Sequence, residues 1–263
     1  MSSTFPLFVV AGIGDGSGTG AATARLFAKA GYAVALISRR EDALNQFKDE
    51  LSGGASRANV AAFPVDEYSG KSIQSAFASI KSTFPRSPLR VALWNAGAAV
   101  WKPFLETTSE DVLTVTCINI AGAFAFAHEV LQIFTAQEPE TAAEGGLAGD
   151  KQTKGTLLFS GATASVRGTE KTAAFAAGKH GIRALAQSLA KEFGKQNIHV
   201  AHAIIDGNIL TEKFAHKNDP EYVKNANVRL DPSSIAEAYE YLVKQDCSSW
   251  TWELDLRPAH EQW

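Results

Sequence analysis

Apolar positions along this chain fall in two rhythms. Leu7 to Ala11 (Leu-Phe-Val-Val-Ala) is apolar at every position, which suits a parallel strand covered on both faces rather than a half-exposed one. Beyond the next glycines, Ala22, Leu26, Phe27 and Ala30 recur at helical spacing, Gly31 ends that helix, and Ala33 to Ile37 supplies a second buried strand. The alternation continues. A helix through Leu44, Phe47 and Leu51, with Glu41 and Asp42 in its first turn, leads to a Gly53-Gly54 turn. A third strand runs from Val60 to Val65 and ends in Asp66, a helix carries Ile73, Phe77 and Ile80, and a fourth apolar strand begins at Val91. Gly181 to Phe193 sets Ile182, Leu185, Leu189 and Phe193 on one helix face, and Trp250 to Pro258 alternates like a closing strand. Strands alternating with helices predict an α/β fold, a doubly wound parallel sheet (Rossmann fold) flanked by helices, with residues 1–263 forming a single domain.

Composition narrows the classes. A chain of 263 residues with 45% hydrophobic content can bury one large core. A net charge of −3 gives no electrostatic footprint for nucleic acid, and no apolar stretch is read as long enough to span a bilayer, so neither partner is expected. Cys117 and Cys247 are too few for a disulfide framework, and Met1 to Pro6 lacks the pattern of a secretory signal, so the expected setting is reducing and cytoplasmic. His128, His199, His202, His216 and His260 show no ligand spacing, and no metal is expected.

The first loop carries the chemistry. Between the first strand and first helix stands Gly12-Ile13-Gly14-Asp15-Gly16-Ser17-Gly18-Thr19-Gly20. A strand that stops at glycines and restarts as a helix leaves backbone N–H groups free, and missing side chains let a pyrophosphate approach them. At the end of the second strand an acidic residue would bind a ribose 2′-hydroxyl, but the chain has Ser38-Arg39-Arg40. Two guanidiniums there suit a 2′-phosphate, which favours NADP(H) over NAD(H); the alternative is a pair of solvated surface arginines.

With Asn95-Ala96-Gly97 at the end of the fourth strand, the sequence resembles the short-chain dehydrogenase/reductase family over nearly the whole chain. Its glycine pattern maps onto Gly14, Gly18 and Gly20, with Thr19 inside it, and Asp66 stands where that family contacts adenine. Asn119 matches the asparagine of its active-site network, and Lys179 the lysine of its Tyr-x-x-x-Lys signature. Asp206-Gly207-Asn208-Ile209-Leu210-Thr211 matches the segment that covers the nicotinamide, which implies cofactor contacts by Asp206, Gly207, Ile209 and Thr211. The resemblance also implies a small-molecule substrate and a homodimer or homotetramer paired through the Gly181–Phe193 region.

Two departures qualify it. The tyrosine position holds Phe175 and the serine position Ala162, so the acid that would protonate a carbonyl oxygen is missing. Losing a positioned general acid costs about 10²- to 10⁴-fold in rate. Ser160, Thr163 and Ser165 are nearby hydroxyls that either replace it or cap the next turn, with Ser160 and Thr163 the nearest. Asp206, where the family has proline, either holds a catalytic water or amine or makes local turn bonds. His180, one residue beyond Lys179, is rotated about 100° away and faces solvent or a subunit contact. The polar, glycine-rich stretch 137–155 reads as a surface loop insertion, and 211–232 as a substrate-covering segment lined by Phe214, His216, Tyr222 and Asn225. The expectation is an NADP(H)-dependent oxidoreductase acting on a small carbonyl, imine or alcohol with a non-standard proton donor. A non-redox isomerase or cyclase, and a catalytically inactive NADP(H)-binding protein, are the alternatives.

Overall fold

In the computed structural model of the chain, residues 5–53, 59–148 and 152–262 are described. Gly54, the start Met1 to Thr4, and residues 149–151 of the 137–155 stretch lie outside them. Seven parallel strands form one sheet in the order β3-β2-β1-β4-β5-β6-β7. They are β1 (Leu7–Ala11), β2 (Ala33–Ser38), β3 (Val60–Pro64), β4 (Leu89–Trp94), β5 (Gly155–Ser160), β6 (Ile198–Ile205) and β7 (Glu253–Leu256). The chain runs outward from β1 to β3, then returns to place β4 against the other side of β1, so the strand order reverses between β1 and β4. Ligands of such sheets bind at the carboxyl ends of the strands beside that reversal.

The helices are α1 (Thr19–Lys29), α2 (Glu41–Gly53), α3 (Gly70–Thr83), α4 (Ser109–Thr116), α5 (Ala123–Ala136), α6 (Ala173–Phe193), α7 (Glu212–Ala215), α8 (Pro220–Lys224) and α9 (Pro232–Val243). Two apolar layers separate them. Phe27, Phe47, Ile235 and Tyr239 from α1, α2 and α9 cover one face of the sheet, and Phe77, Phe126, Phe134 and Ile182 from α3, α5 and α6 cover the other. The central strands β1, β2, β4, β5 and β6 are buried at every residue; the apolar run of β1 suits that burial, while β4, β5 and β6 also bury Arg90, Thr156, His199 and His202.

Three expectations are corrected. The helical stretch Ser109–Ala136, 28 residues, is long and apolar enough to cross a membrane by length and composition, contrary to the sequence reading; half of its most apolar window is buried inside the fold. A π-helical turn, Cys117–Gly122, joins α4 to α5 within it. The 137–155 stretch is more than surface loop. Arg90, buried on β4, forms a two-pronged pair with Glu144 (2.8 and 2.9 Å) and donates to the carbonyls of Glu138 and Lys154. Tyr32 Oη accepts from Leu147 N at 2.8 Å, and Glu140 is buried beside it, where burial pushes its carboxyl up to about 7. Finally, the amphipathic helix expected from Gly181 begins earlier, at Ala173, and so carries Phe175 and Lys179 as well.

Candidate active site

A cleft of about 1170 Å³ runs along the carboxyl ends of the strands, from the glycine turn and Arg40 at one end to Phe175, Lys179 and Arg167 at the other. Its volume exceeds the ~300–1,000 Å³ of a single-ligand pocket, so it can hold an extended molecule together with a second one.

The glycine turn is held open by contacts, not only by flexibility. Gly12 has φ +99°, and a Cβ there would lie 2.4 Å from Ala96 N; a Cβ on Gly20 would lie 2.3 Å from Gly12 O. Asn95 Nδ2 donates to that same Gly12 carbonyl at 2.7 Å, which ties the end of β4 to the turn. Gly18 precedes α1 with no side-chain cap, so the first amides of α1 remain available to an anion. Thr19, in that first turn, is buried on the cleft wall with its hydroxyl unpartnered. An orphaned hydroxyl beside uncapped amides fits a pyrophosphate, so these residues fit a dinucleotide. Gly14, Ser38, Arg39, Arg40 and Asp66 line the same end. Arg39 lies over the ring of Tyr68 at 5.3 Å, and Tyr68 packs edge-on against Trp94. That stack steadies one of the two guanidiniums.

At the other end, Asn119 is fully buried in the π turn, accepting from Ala98 N and donating to Ala98 O, both at 2.9 Å. Turns of this kind often occur at functional sites. Lys179, on α6, is buried and donates to Ser160 O at 2.9 Å; a Cβ on Gly97 would be 3.5 Å from both Lys179 Nζ and Asn119 Oδ1, so the three meet at one point. Burial pulls the Lys179 ammonium down to about 8. Phe175 and Ala162 line the cleft, and the Phe175 ring lies 5.9 Å from that of Trp101, which is 65% exposed at the mouth. Gly207, Ile209 and Thr211 line the opposite wall, and Ser17 Oγ accepts from Glu212 N at 3.0 Å, which fastens the start of the 211–232 segment to the glycine turn.

The hydroxyls near the missing acid are engaged. Ser160 Oγ donates to Asn95 Oδ1 at 2.8 Å and pairs with Tyr239 Oη at 2.6 Å. Thr163 Oγ1 donates to Asp206 Oδ1 at 2.5 Å, and Ser165 Oγ accepts from Ala162 N. Of these only Ser165 makes a local bond of the capping kind. Asp206 does not make the local turn bonds open to it: it is buried behind the cleft wall, facing Thr163 and the guanidiniums of Arg167 and Arg257, each at 3.4 Å.

The substrate-covering segment is also corrected. Phe214 and Tyr222 pack on each other at 6.0 Å, Asn225 accepts from Asn227 N within its own turn, and His216 is exposed; among the described residues of that segment, Thr211 and Lys213 line the cleft instead. Arg167, Trp101 and Tyr239 escaped the sequence reading. Arg167 sits outside every motif, and Tyr239 looks like one more apolar residue of α9. Among the described residues no cluster of three or more His, Cys, Asp or Glu is placed to hold a metal ion.

Comparison with known proteins agrees with this geometry. The short chain dehydrogenase family profile matches residues 9–221. A crystal structure of a short-chain dehydrogenase from Rhodopseudomonas palustris is 30% identical, with a TM-score of 0.75 over 96% of this chain and 98% of that one. An alcohol dehydrogenase from Thermococcus sibiricus, complexed with 5-hydroxy-NADP, shares the fold (TM-score 0.79, 98% of both chains) at 21% identity. The 3-oxoacyl-[acyl-carrier-protein] reductase of Mus musculus is 24% identical over 82% of each chain.

Proposed function

The chain belongs to the short chain dehydrogenase family, and we propose that within it this protein is an NADP(H)-dependent oxidoreductase acting on a small organic carbonyl, imine or alcohol, with Lys179 in place of tyrosine as the proton donor. The observation that carries this reading is the continuous cleft joining Arg39 and Arg40, the uncapped start of α1, and the Lys179–Asn119–Gly97 meeting point.

Bound there, the nicotinamide dinucleotide supplies a hydride for reduction or accepts one for oxidation. The amides at the start of α1 and the Thr19 hydroxyl would hold its pyrophosphate, Arg39 and Arg40 its 2′-phosphate, and Asp66 its adenine. Asn119 fixes Ala98, and Ala96, Gly97 and Lys179 would seat the ribose nearest the chemistry. Gly207, Ile209 and Thr211 form the opposite wall.

Reduction adds a hydride to carbon and a proton to oxygen. Ser160 and Thr163 spend their protons on Asn95 and Asp206, so neither is free to give one. Lys179 Nζ holds a proton at a pKa of about 8, near the optimum for an acid working at neutral pH. The ammonium releases that proton to the substrate oxygen and regains one from solvent; in the alcohol-oxidising direction the neutral amine takes it up. Phe175 and Trp101 give this end of the cleft an apolar wall.

Phe175 and Ala162 also favour a second reading, a protein that binds NADP(H) without turnover. One assay set separates the two: NADPH binding by fluorescence, then NADPH oxidation with a panel of ketones and imines and NADP reduction with alcohols. Turnover supports the oxidoreductase, tight binding without turnover supports the second reading, and product formed without cofactor consumption points to an isomerase or cyclase.

A further inference from the structure

We infer that Arg167 makes the far end of the cleft a seat for the carboxylate of an apolar organic acid, which, resting on the oxidoreductase reading, makes oxo acids and the matching hydroxy acids the substrates. Buried Asp206 accepts from the Thr163 hydroxyl at 2.5 Å and faces two guanidiniums at 3.4 Å, those of Arg167 and of Arg257, the latter also paired with Asp255, so Arg167 is not its only cation.

Arg167 reaches Asp206 with one terminal nitrogen only, at 3.4 Å from both oxygens, and among the described residues its side chain has no other polar partner. That is long against the roughly 2.7–2.9 Å of a charge-assisted bond. Its side chain is 36% exposed and lines the cleft, so most of the guanidinium fork remains unspent where a second molecule would lie. Asp206 thus acts as a positioning residue that holds the fork on the wall.

The surroundings select the same chemistry. Arg167 and Lys179 line this end of the cleft, with Glu261 at the Gly207 wall, while Trp101, Phe175 and Ala162 make its apolar side. A planar guanidinium matches a carboxylate with two parallel bonds, which a neutral carbonyl compound cannot offer.

The test is calorimetric titration of the protein, with and without NADPH, by phenylacetate and by phenylacetamide, which share a body and differ in charge. Phenylacetate is expected to bind about tenfold more tightly, with the difference lost in Arg167→Gln, partly kept in Arg167→Lys, and reduced by salt in the native protein. Equal binding of the two probes by the native protein, or an equal loss for both in Arg167→Gln, would overturn the inference. The salt series needs no variant, so a misfolded Arg167→Gln does not rescue it. Turnover assays with phenylpyruvate and neutral ketones keep the two readings apart. Arg167-dependent discrimination without turnover of any carbonyl sinks the oxidoreductase reading alone. Turnover of neutral ketones on a par with phenylpyruvate and indifferent to Arg167→Gln sinks the carboxylate seat alone.

Discussion

Lys179 Nζ donates to the carbonyl of Ser160 across 2.9 Å, so the buried ammonium at this site is fastened to the very strand end that leads into Ala162. Position and burial together set its titration. With the ammonium held near 8, the acid form is lost as pH rises through that value. Carbonyl reduction is therefore expected to fall above about pH 8 while alcohol oxidation rises over the same range. Steady-state rates from pH 6 to 10 check this, and a flat profile in both directions removes Lys179 as the proton donor. Lys179→Arg keeps a cation in the site and should abolish the titration.

Phe175→Tyr restores an acid on the same helix face as Lys179. Cofactor affinity should stay unchanged, while ketone reduction gains a second acid beside Lys179, rises by less than the about 10²- to 10⁴-fold that a sole acid supplies, and shifts its pH dependence. Ala162→Ser is expected to help more alongside the tyrosine than alone, because the two hydroxyls then act together on the substrate oxygen. A double variant no faster than Ala162→Ser alone counts against the geometry assigned to α6.

Arg39→Ala and Arg40→Ala should each weaken NADPH binding by about 1.5–3 kcal/mol and leave NADH binding alone, the worth of a hydrogen bond to a charged group. Since Arg39 rests on Tyr68, Tyr68→Leu should reproduce part of that loss without removing a charge. Fluorescence titration with both cofactors measures it; equal losses for NADH would mean the arginines support the fold and not the phosphate.

The glycines of the first turn are not equivalent. Gly20→Ala places a Cβ 2.3 Å from Gly12 O and should destabilise by about 3 kcal/mol or prevent folding, whereas Gly18→Ala meets only Thr211 Cγ2 at 3.6 Å, ordinary contact. Urea unfolding of the two variants distinguishes them.

Glu140→Gln probes the buried carboxyl in the 137–155 stretch. Its folded pKa of about 7 stands above the ordinary 4.5, so the folded protein keeps a proton the unfolded chain has shed, and stability falls as pH climbs between those values. The variant should match the native protein near pH 4.5 and exceed it by up to about 3 kcal/mol above pH 7. Urea midpoints at pH 5 and 8 decide it.

Strands β1, β2 and β4 could be read from the sequence because a strand covered on both faces needs an unbroken apolar run, and Leu7–Ala11 has one. The glycine-turn end of the cleft was legible for a related reason: Gly12, Arg39 and Asp66 each lie just past a strand whose place in the sheet is set by chain order, and Gly20 opens the helix that follows the first of them. The Arg167 end of the cleft was not. Arg167 and Asp206 are 39 residues apart, Ser160 and Tyr239 79, and nothing local marks either pair. Phe214 and Tyr222 were misplaced because an aromatic in a covering segment can face the cleft or its own neighbour, and packing chose the neighbour. Glu144 escaped notice because a glycine-rich polar run hides its partner, Arg90, 54 residues earlier.

The π turn at Cys117–Gly122 makes chain length itself part of the site. Each α-helical residue turns about 100°, so one surplus residue changes the phase of α5 relative to α4. With that residue in place Asn119 faces Ala98 while Phe126, Val130 and Phe134 face the core. Removing any one residue between 117 and 122 would force a choice between them, unseating the asparagine or rolling three large side chains toward solvent. A deletion here is thus a graver lesion than most substitutions, although Cys117 itself lies exposed on the surface.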